Sequence, residues 1–208
     1  MQNAACSHLI FHVLIICGLS MALNTEKAMS QHSNETLKVI HNRTSIRSFS
    51  EQPVPSDLVE TMLRAAMAAP SSRNVQPWLF FVIDDHEILV RLADELPSAR
   101  MLAQAPLAIV VCGDTRKGDP NEEQVHNWVM DCSAATQNLL LAAESVGLGA
   151  VWTGVHPYAD RIVAVRNAIG LPPHIIPLNV IPVGYPAAQA QPKDKWDPAK
   201  VKHIRDEQ

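Results

Sequence analysis

The sequence predicts a mixed α/β domain with helices packed around one central sheet. Three observations carry this expectation. Helical and extended patterns alternate from about residue 34. Short apolar runs of strand length recur between the helical ones. One long segment, from Val125 to Val146, keeps apolar residues at helical spacing and stops at Gly147. A chain of 208 residues fits one such domain.

In chain order, Asn34 can cap a short helix that carries Leu37, Ile40 and His41. Ser56, after Pro53 and Pro55, can cap a second, with Leu58, Val59, Met62, Leu63 and Ala66 along one face; Pro70 ends it. Residues 78–83 form a continuous apolar strand. Asp84 or Asp85 then opens a helix bearing Ile88, Leu89, Leu92 and Leu96, and residues 107–112 read as a second buried strand. In the long helix, Val125, Trp128, Val129, Cys132, Thr136, Leu139, Leu140, Ala143 and Val146 recur at i, i+3, i+4 and i+7. A helix of that length in a small domain is central or lies in a subunit interface. Residues 150–153 make a short strand and 160–169 a helix closed by Gly170. Residues 178–183 make a further strand, which tolerates Pro182 only near an edge or end. From Gln189 the tail is polar and extended.

A hydrophobic fraction of 47% is ample for a core, and 18% charged residues is sparse enough to fit burial in an oligomer. The net charge of −4 gives no general pull toward nucleic acid or anionic membrane. Of the four cysteines, Cys6 and Cys17 lie in an N-terminal apolar stretch. Cys112 and Cys132 fall in strand and helix patterns, as inert buried thiols do. The run from Leu9 to Leu23 has signal-peptide length, with a small-x-small site at Ser20-Met21-Ala22, so residues 1–22 can direct export to the periplasm. No Lys or Arg precedes it, and it is short for a membrane span of ~20 residues. The alternative is translation from Met29, which leaves residues 1–28 outside the working protein and places it in the cytoplasm. On either reading the working domain is residues 34–208, with no stable membrane span.

Several motifs fail on context. Gly147, Gly149 and Gly154 follow a helix and precede a strand, the wrong order for a dinucleotide-binding turn. Gly113 to Gly118 continues Asp119-Pro120 instead of the Lys-Ser/Thr of a phosphate loop. There is no HExxH and no GxSxG; His8 and His12 stand at i, i+4 but lie in the N-terminal apolar segment, and the other histidines are scattered. The glycosylation-type triplets at Asn34 and Asn42 are too common to weigh.

Two segments survive. Arg43, Thr44, Ser45 and Arg47 put two guanidiniums and two hydroxyls on about one turn of chain, a set that suits a phosphate with one further anionic group. Pro70, Ser71, Ser72, Asn74 and Gln76, closed by Pro77-Trp78, form a turn dense in amides and hydroxyls that can hydrogen-bond the edge of a flat polar ligand. Lys193 and Lys195 beside Trp196 can supply a further cation if the tail folds back. Together they point to a phosphate-bearing aromatic cofactor.

The chain resembles the nitroreductase family of FMN enzymes from about residue 34 to about 205. The resemblance rests on Arg43-x-Ser45-x-Arg47-x-Phe49, on the block from Ala69 to Trp78, on Gln137 to Ala143 running into Gly147-Leu148-Gly149, and on Ile181 to Pro186, in that order. It implies a central, largely antiparallel sheet flanked by helices, in an intertwined homodimer with two FMN sites at the interface. Arg43 and Ser45, with Thr44 between them, would hold the FMN phosphate, helped by Lys193 or Lys195. Arg47 would sit against the flavin N1/O2 edge. The turn with Pro70, Ser71, Ser72, Asn74 and Gln76 would reach the flavin from the partner subunit. Backbone groups at Thr153 and Gly154 would lie near N5. The implied activity is NAD(P)H-dependent reduction of nitroaromatics, quinones or related acceptors by ping-pong hydride transfer. The cofactor does the chemistry, so no catalytic side chain is expected. Arg73 inside the Ser-Ser-x-Asn block and the loose match of the tail lysines depart from the family pattern.

Two alternatives stay open. One is a specialised enzyme of the same fold, flavin-destroying or dehalogenating, which would need a lid over the flavin; only the short connection 114–123 offers a place for it. The other is a non-catalytic FMN-binding protein.

Overall fold

The computed structural model describes residues 34–117 and 127–205. The described residues divide into two units, one ending at His41 and the other beginning at Asn42. In the first, Asn34 caps helix α1 (Glu35–Asn42) by accepting the Leu37 N–H at 2.9 Å. The leader or Met29 start, with Cys6 and Cys17, lies outside the described residues.

The second unit is built on a five-stranded antiparallel sheet of order β1 (Trp78–Ile83), β2 (Leu107–Asp114), β5 (Ile175–Gly184), β3 (Gly149–Ala150). Strand β4 (Thr153–Gly154) also pairs with β5, in the register that β3 begins. Helices cover both faces. Leu107, Ile109 and Val111 of β2 enter a core with Met62 and Ala66 of α2 (Ser56–Met67) and with Leu139 and Ala143 of α4 (Asn127–Ser145). Ala108, Val110 and Cys112 enter the opposite core. There they meet Leu89 and Leu92 of α3 (His86–Glu95) and Val165 of α5 (Ala159–Ile169). A strand buried on both faces reads as an unbroken apolar run instead of an alternating one. That is why the strands were legible by length and not by period.

The expected elements form, with local differences. Asp85 caps α3, its carboxylate accepting the Glu87 and Ile88 N–H groups. At α2 the capping position falls on Pro55, with Ser56 already helical and no side-chain cap. Helix α4 spans Asn127–Ser145, while Val125 lies outside the described residues. It ends at Gly147 and α5 at Gly170, each with positive φ, as the left-handed turn after a helix requires. The strand expected at 150–153 is split at Val151 and Trp152. Strand β5 lies in the interior of the sheet, and its prolines sit where the ladder is already broken. Pro177 is at the bulge between Val111 and Cys112, and the register sets Pro182 opposite Val151 at the split. Among the described residues, no helix is long and apolar enough to cross a membrane.

Cys112 and Cys132 are buried together in the interior, the Cys132 thiol donating to the Cys112 carbonyl at 3.5 Å. Burial pushes the Cys132 thiol up to about 12 and Cys112 further up still. Neither thiolate is available at neutral pH. In a Cys6→Ser/Cys17→Ser background, native protein should therefore leave a thiol reagent such as DTNB unreacted until denaturant is added. Prompt labelling of the native protein would contradict this core assignment.

Candidate functional site

The segment after α1 is pinned to the sheet edge at β3. Ser45 forms a parallel bridge with Ala150, and the Ile46 N–H donates to the Ala150 carbonyl at 3.1 Å. Further on, the Ser50 N–H donates to Tyr185 and the Ala187 N–H to Ser48, so the chain leaving β5 runs alongside. Ile46 and Phe49 point inward and pack with Ala105. Their neighbours are left outside: Ser45 and Arg47 are exposed, and Arg43 and Thr44 half-buried. A stretch with hydrophobic anchors at i and i+3 thus presents cations and hydroxyls from a backbone fixed by the sheet. An added Cβ at Gly149 would fall 2.7 Å from Ile46, so only glycine permits this close approach.

The turn after α2 has a different construction. Pro70 and Ser71 lead into a single 3-10 turn, Ser72–Asn74. Arg73, Asn74 and Gln76 have φ of 50°, 57° and 50°. Each such non-glycine residue costs on the order of 1–3 kcal/mol, so surrounding contacts must hold the turn. Within it, the Ser71 hydroxyl accepts the Gln76 N–H at 3.0 Å, and the Gln76 side-chain amide donates to Asn74 Oδ1 at 2.8 Å. From outside, the Asp131 carboxylate accepts the Ser72 N–H at 2.9 Å, Lys117 donates to the Gln76 carbonyl at 3.3 Å, and Asn127 to the Ser72 hydroxyl at 3.4 Å. The Asn74 and Gln76 side chains are exposed. Nearby, the Arg116 guanidinium hydrogen-bonds Asp114 and holds its carboxyl below the usual range, bracing the end of β2.

At β4, the buried Thr153 hydroxyl donates to the Val180 carbonyl. The Gly154 carbonyl accepts from Arg161 at 3.0 Å, and that guanidinium lies 4.0 Å over the Tyr158 ring. The Gly154 backbone is open: a Cβ there would meet only Trp152 Nε1, at 4.0 Å. Lys193 and Lys195 are exposed in the extended tail.

The sheet register decides which of these residues meet. Ser45 bridges Ala150, three residues before Thr153, so residues 43–47 and 153–154 share one edge. The turn feeds Trp78 on β1, at the opposite edge and at the opposite end of β5, since Trp78 pairs with Gly113 and Gly113 with Ile176. Strand spacings then put the turn ~30 Å from residues 43–47. One chain therefore joins the basic segment to β4 and holds the polar turn apart at the diagonal corner. Asp131, Lys117, Asn127 and Arg161 went unnoticed in the sequence. Asp131 had a signal, a carboxylate on the apolar face of α4 beside Trp128 and Cys132.

Gly149→Ala should force Ile46 off the sheet edge and destabilise the fold by about 1–3 kcal/mol. A denaturant midpoint measures this, and an unchanged midpoint would mean Ile46 does not pin the segment.

The Nitroreductase family model matches residues 40–99 and 93–185. A protein of Methanothermobacter thermautotrophicus named "Putative NADH dehydrogenase/NAD(P)H nitroreductase" is 42% identical over 167 residues, covering 80% of this chain and 85% of that protein. A crystal structure of a protein of the same name from Parabacteroides distasonis superposes with a TM-score of 0.78 at 51% identity, over 82% of this chain and 98% of that one. An FMN-dependent nitroreductase from Clostridium difficile gives a TM-score of 0.73 at 27% identity, over 80% and 98% of the two chains. Human iodotyrosine deiodinase 1 is a more distant match, 25% identical over 81% of this chain and 67% of that protein. With its antiparallel sheet and helix-covered faces matching as well, the chain belongs to the nitroreductase family.

Proposed function

We propose that the protein is an FMN-dependent NAD(P)H oxidoreductase that reduces nitroaromatics, quinones or related acceptors as a homodimer. The observation that carries this reading is the split site: the basic segment and β4 share one sheet edge, and the polar turn of the same chain lies at the diagonal corner. A second copy of the chain can bring its turn to that edge.

The residues present fit FMN. The guanidinium of Arg43 and the hydroxyls of Thr44 and Ser45 complement a phosphate, and the open backbone at Gly154 leaves room for a flat ring. Arg43 and Ser45 would bind the phosphate, with Lys193 or Lys195 as a further cation. Arg47 would place its guanidinium beside the N1/O2 edge, where a fixed positive charge favours the negative charge of the reduced ring. The partner's turn would bring hydroxyls and amides at Ser71, Ser72, Asn74 and Gln76 to the ring. Backbone groups at Thr153 and Gly154 would orient N5, with Arg161 fixing the Gly154 peptide. When bound, FMN would supply reversible hydride chemistry at N5, with the two substrates using one open face in turn.

The deiodinase match supports a second reading, a specialised enzyme of the same fold. The lid it would need falls on the connection 114–123, of which residues 118–123 lie outside the described residues. Loss of halide from a halogenated phenol at a rate above nitro or quinone reduction would favour it.

The purified protein should show a flavin spectrum that bleaches anaerobically on adding NADH or NADPH and recovers with a quinone. A colourless protein, or a bound flavin that stays oxidised, would overturn the oxidoreductase reading. Arg43→Ala should lose FMN during purification, and retained stoichiometric cofactor would contradict the phosphate assignment. Arg47→Ala should lower the flavin midpoint potential; an unchanged potential removes it from the N1/O2 edge.

A further inference from the structure

Asp131 has no part in the expected cofactor set, yet it is a carboxylate only 7% exposed, on the buried face of α4. Burying a carboxylate is costly unless it is hydrogen-bonded. Its Oδ1 accepts the Ser72 backbone N–H at 2.9 Å, a bond strengthened by the charge. The turn that follows holds three left-handed non-glycine residues within four positions. Beside it, Ser71 and Asn74 bond within the turn, the Asp114 N–H donates to the Pro77 carbonyl at 2.8 Å where the turn enters β1, and Lys117 and Asn127 reach the turn at 3.3 and 3.4 Å. The short bond from Asp131 fastens the turn to the helix whose packing defines the domain.

We infer that Asp131 is a positioning residue for the cofactor site of the partner subunit. It holds the strained turn so that Asn74 and Gln76 stand exposed in the orientation that a ligand on the neighbouring protomer meets. The inference rests on the functional reading above. Asp131 sits by the turn, ~30 Å from residues 43–47 of its own chain, so its influence is delivered in trans.

The test begins with FMN affinity, by fluorescence quenching, in the full-length dimer. Asp131→Ala removes the acceptor and should weaken FMN binding by about 10-fold or more, as losing a charge-assisted bond to a strained segment would. Asp131→Asn keeps an acceptor oxygen and should restore affinity to within about 3-fold of wild type. Wild type that binds FMN beside an Asp131→Ala variant of equal affinity overturns the role of Asp131 alone. Wild type that binds no FMN overturns the functional reading beneath it. If Asp131→Ala fails to fold, the donor can be removed instead. Ser72→Pro lacks the N–H, and Ser72→Ala keeps it while losing the hydroxyl; Ser72→Pro should bind FMN about 10-fold more weakly than Ser72→Ala, and equal affinities count against the inference. A heterodimer then decides between cis and trans. Co-expressed, differently tagged Asp131→Ala and Arg43→Ala protomers leave one site with both elements intact and one with both defects. About one tightly bound FMN per heterodimer supports delivery in trans. No tightly bound FMN means Asp131 acts within its own protomer, which overturns the inference.

Discussion

The packing of helix α4 across one face of the sheet is the constraint on which the rest depends. Its 19 residues extend over ~28 Å, close to the full diagonal of the sheet. Trp128, Cys132, Ala135, Leu139, Leu140 and Ala143 are buried along its length and lock it against β2, β5 and α2. The first half carries Asp131 and Asn127 to the polar turn. The end runs through Gly147 into Gly149, against which Ile46 packs. Both halves of the candidate site are therefore referenced to one rigid rod. Their separation is set by helix length, which hydrogen bonding and core packing make nearly incompressible.

The two halves are held by different physics. The basic segment borrows the sheet, with hydrogen bonds to β3 and to the chain after β5, and inward anchors at Ile46 and Phe49. Its backbone has no left-handed residue and its side chains at Ser45 and Arg47 are exposed, with the Arg47 guanidinium donating to the Ser45 carbonyl at 3.5 Å. The polar turn meets the sheet only at its end, where the Asp114 N–H of β2 donates to the Pro77 carbonyl at 2.8 Å. Its left-handed residues store conformational energy that contacts from α4 and Lys117 must offset. Such a segment keeps one geometry only while its anchors hold. A buried carboxylate is a fitting anchor, because its bond to a backbone N–H is strong in a low-dielectric setting.

The division also explains the chemistry of the chain. Nothing in the two segments resembles a nucleophile with its base, and among the described residues no cluster of His, Cys, Asp and Glu could hold a metal ion. On the function proposed above, these polar groups would hold and tune a bound redox group, with Arg47 as the cation where negative charge would develop.

Much of this was legible in the residues alone. Apolar spacing and terminal glycines marked α4 and α5, a cap at Asp84 or Asp85 marked α3, and unbroken apolar runs marked the strands, because each signal is local and set by backbone geometry. The composition of residues 43–47 and 70–78 singled them out as candidate ligand-binding segments for the same reason: hydroxyls, amides and guanidiniums need no neighbours to declare their chemistry. The sequence by itself thus determined the elements, the class of fold and the kind of ligand. The tertiary structure alone decided where the pieces stand. Pairing of Ser45 with Ala150, the diagonal placement of the turn, the split at Val151 opposite Pro182 and the reach of Asp131 to Ser72 all join residues far apart in the chain. Such pairings depend on strand register and on which helix face is buried, and neither is encoded in any single stretch of residues.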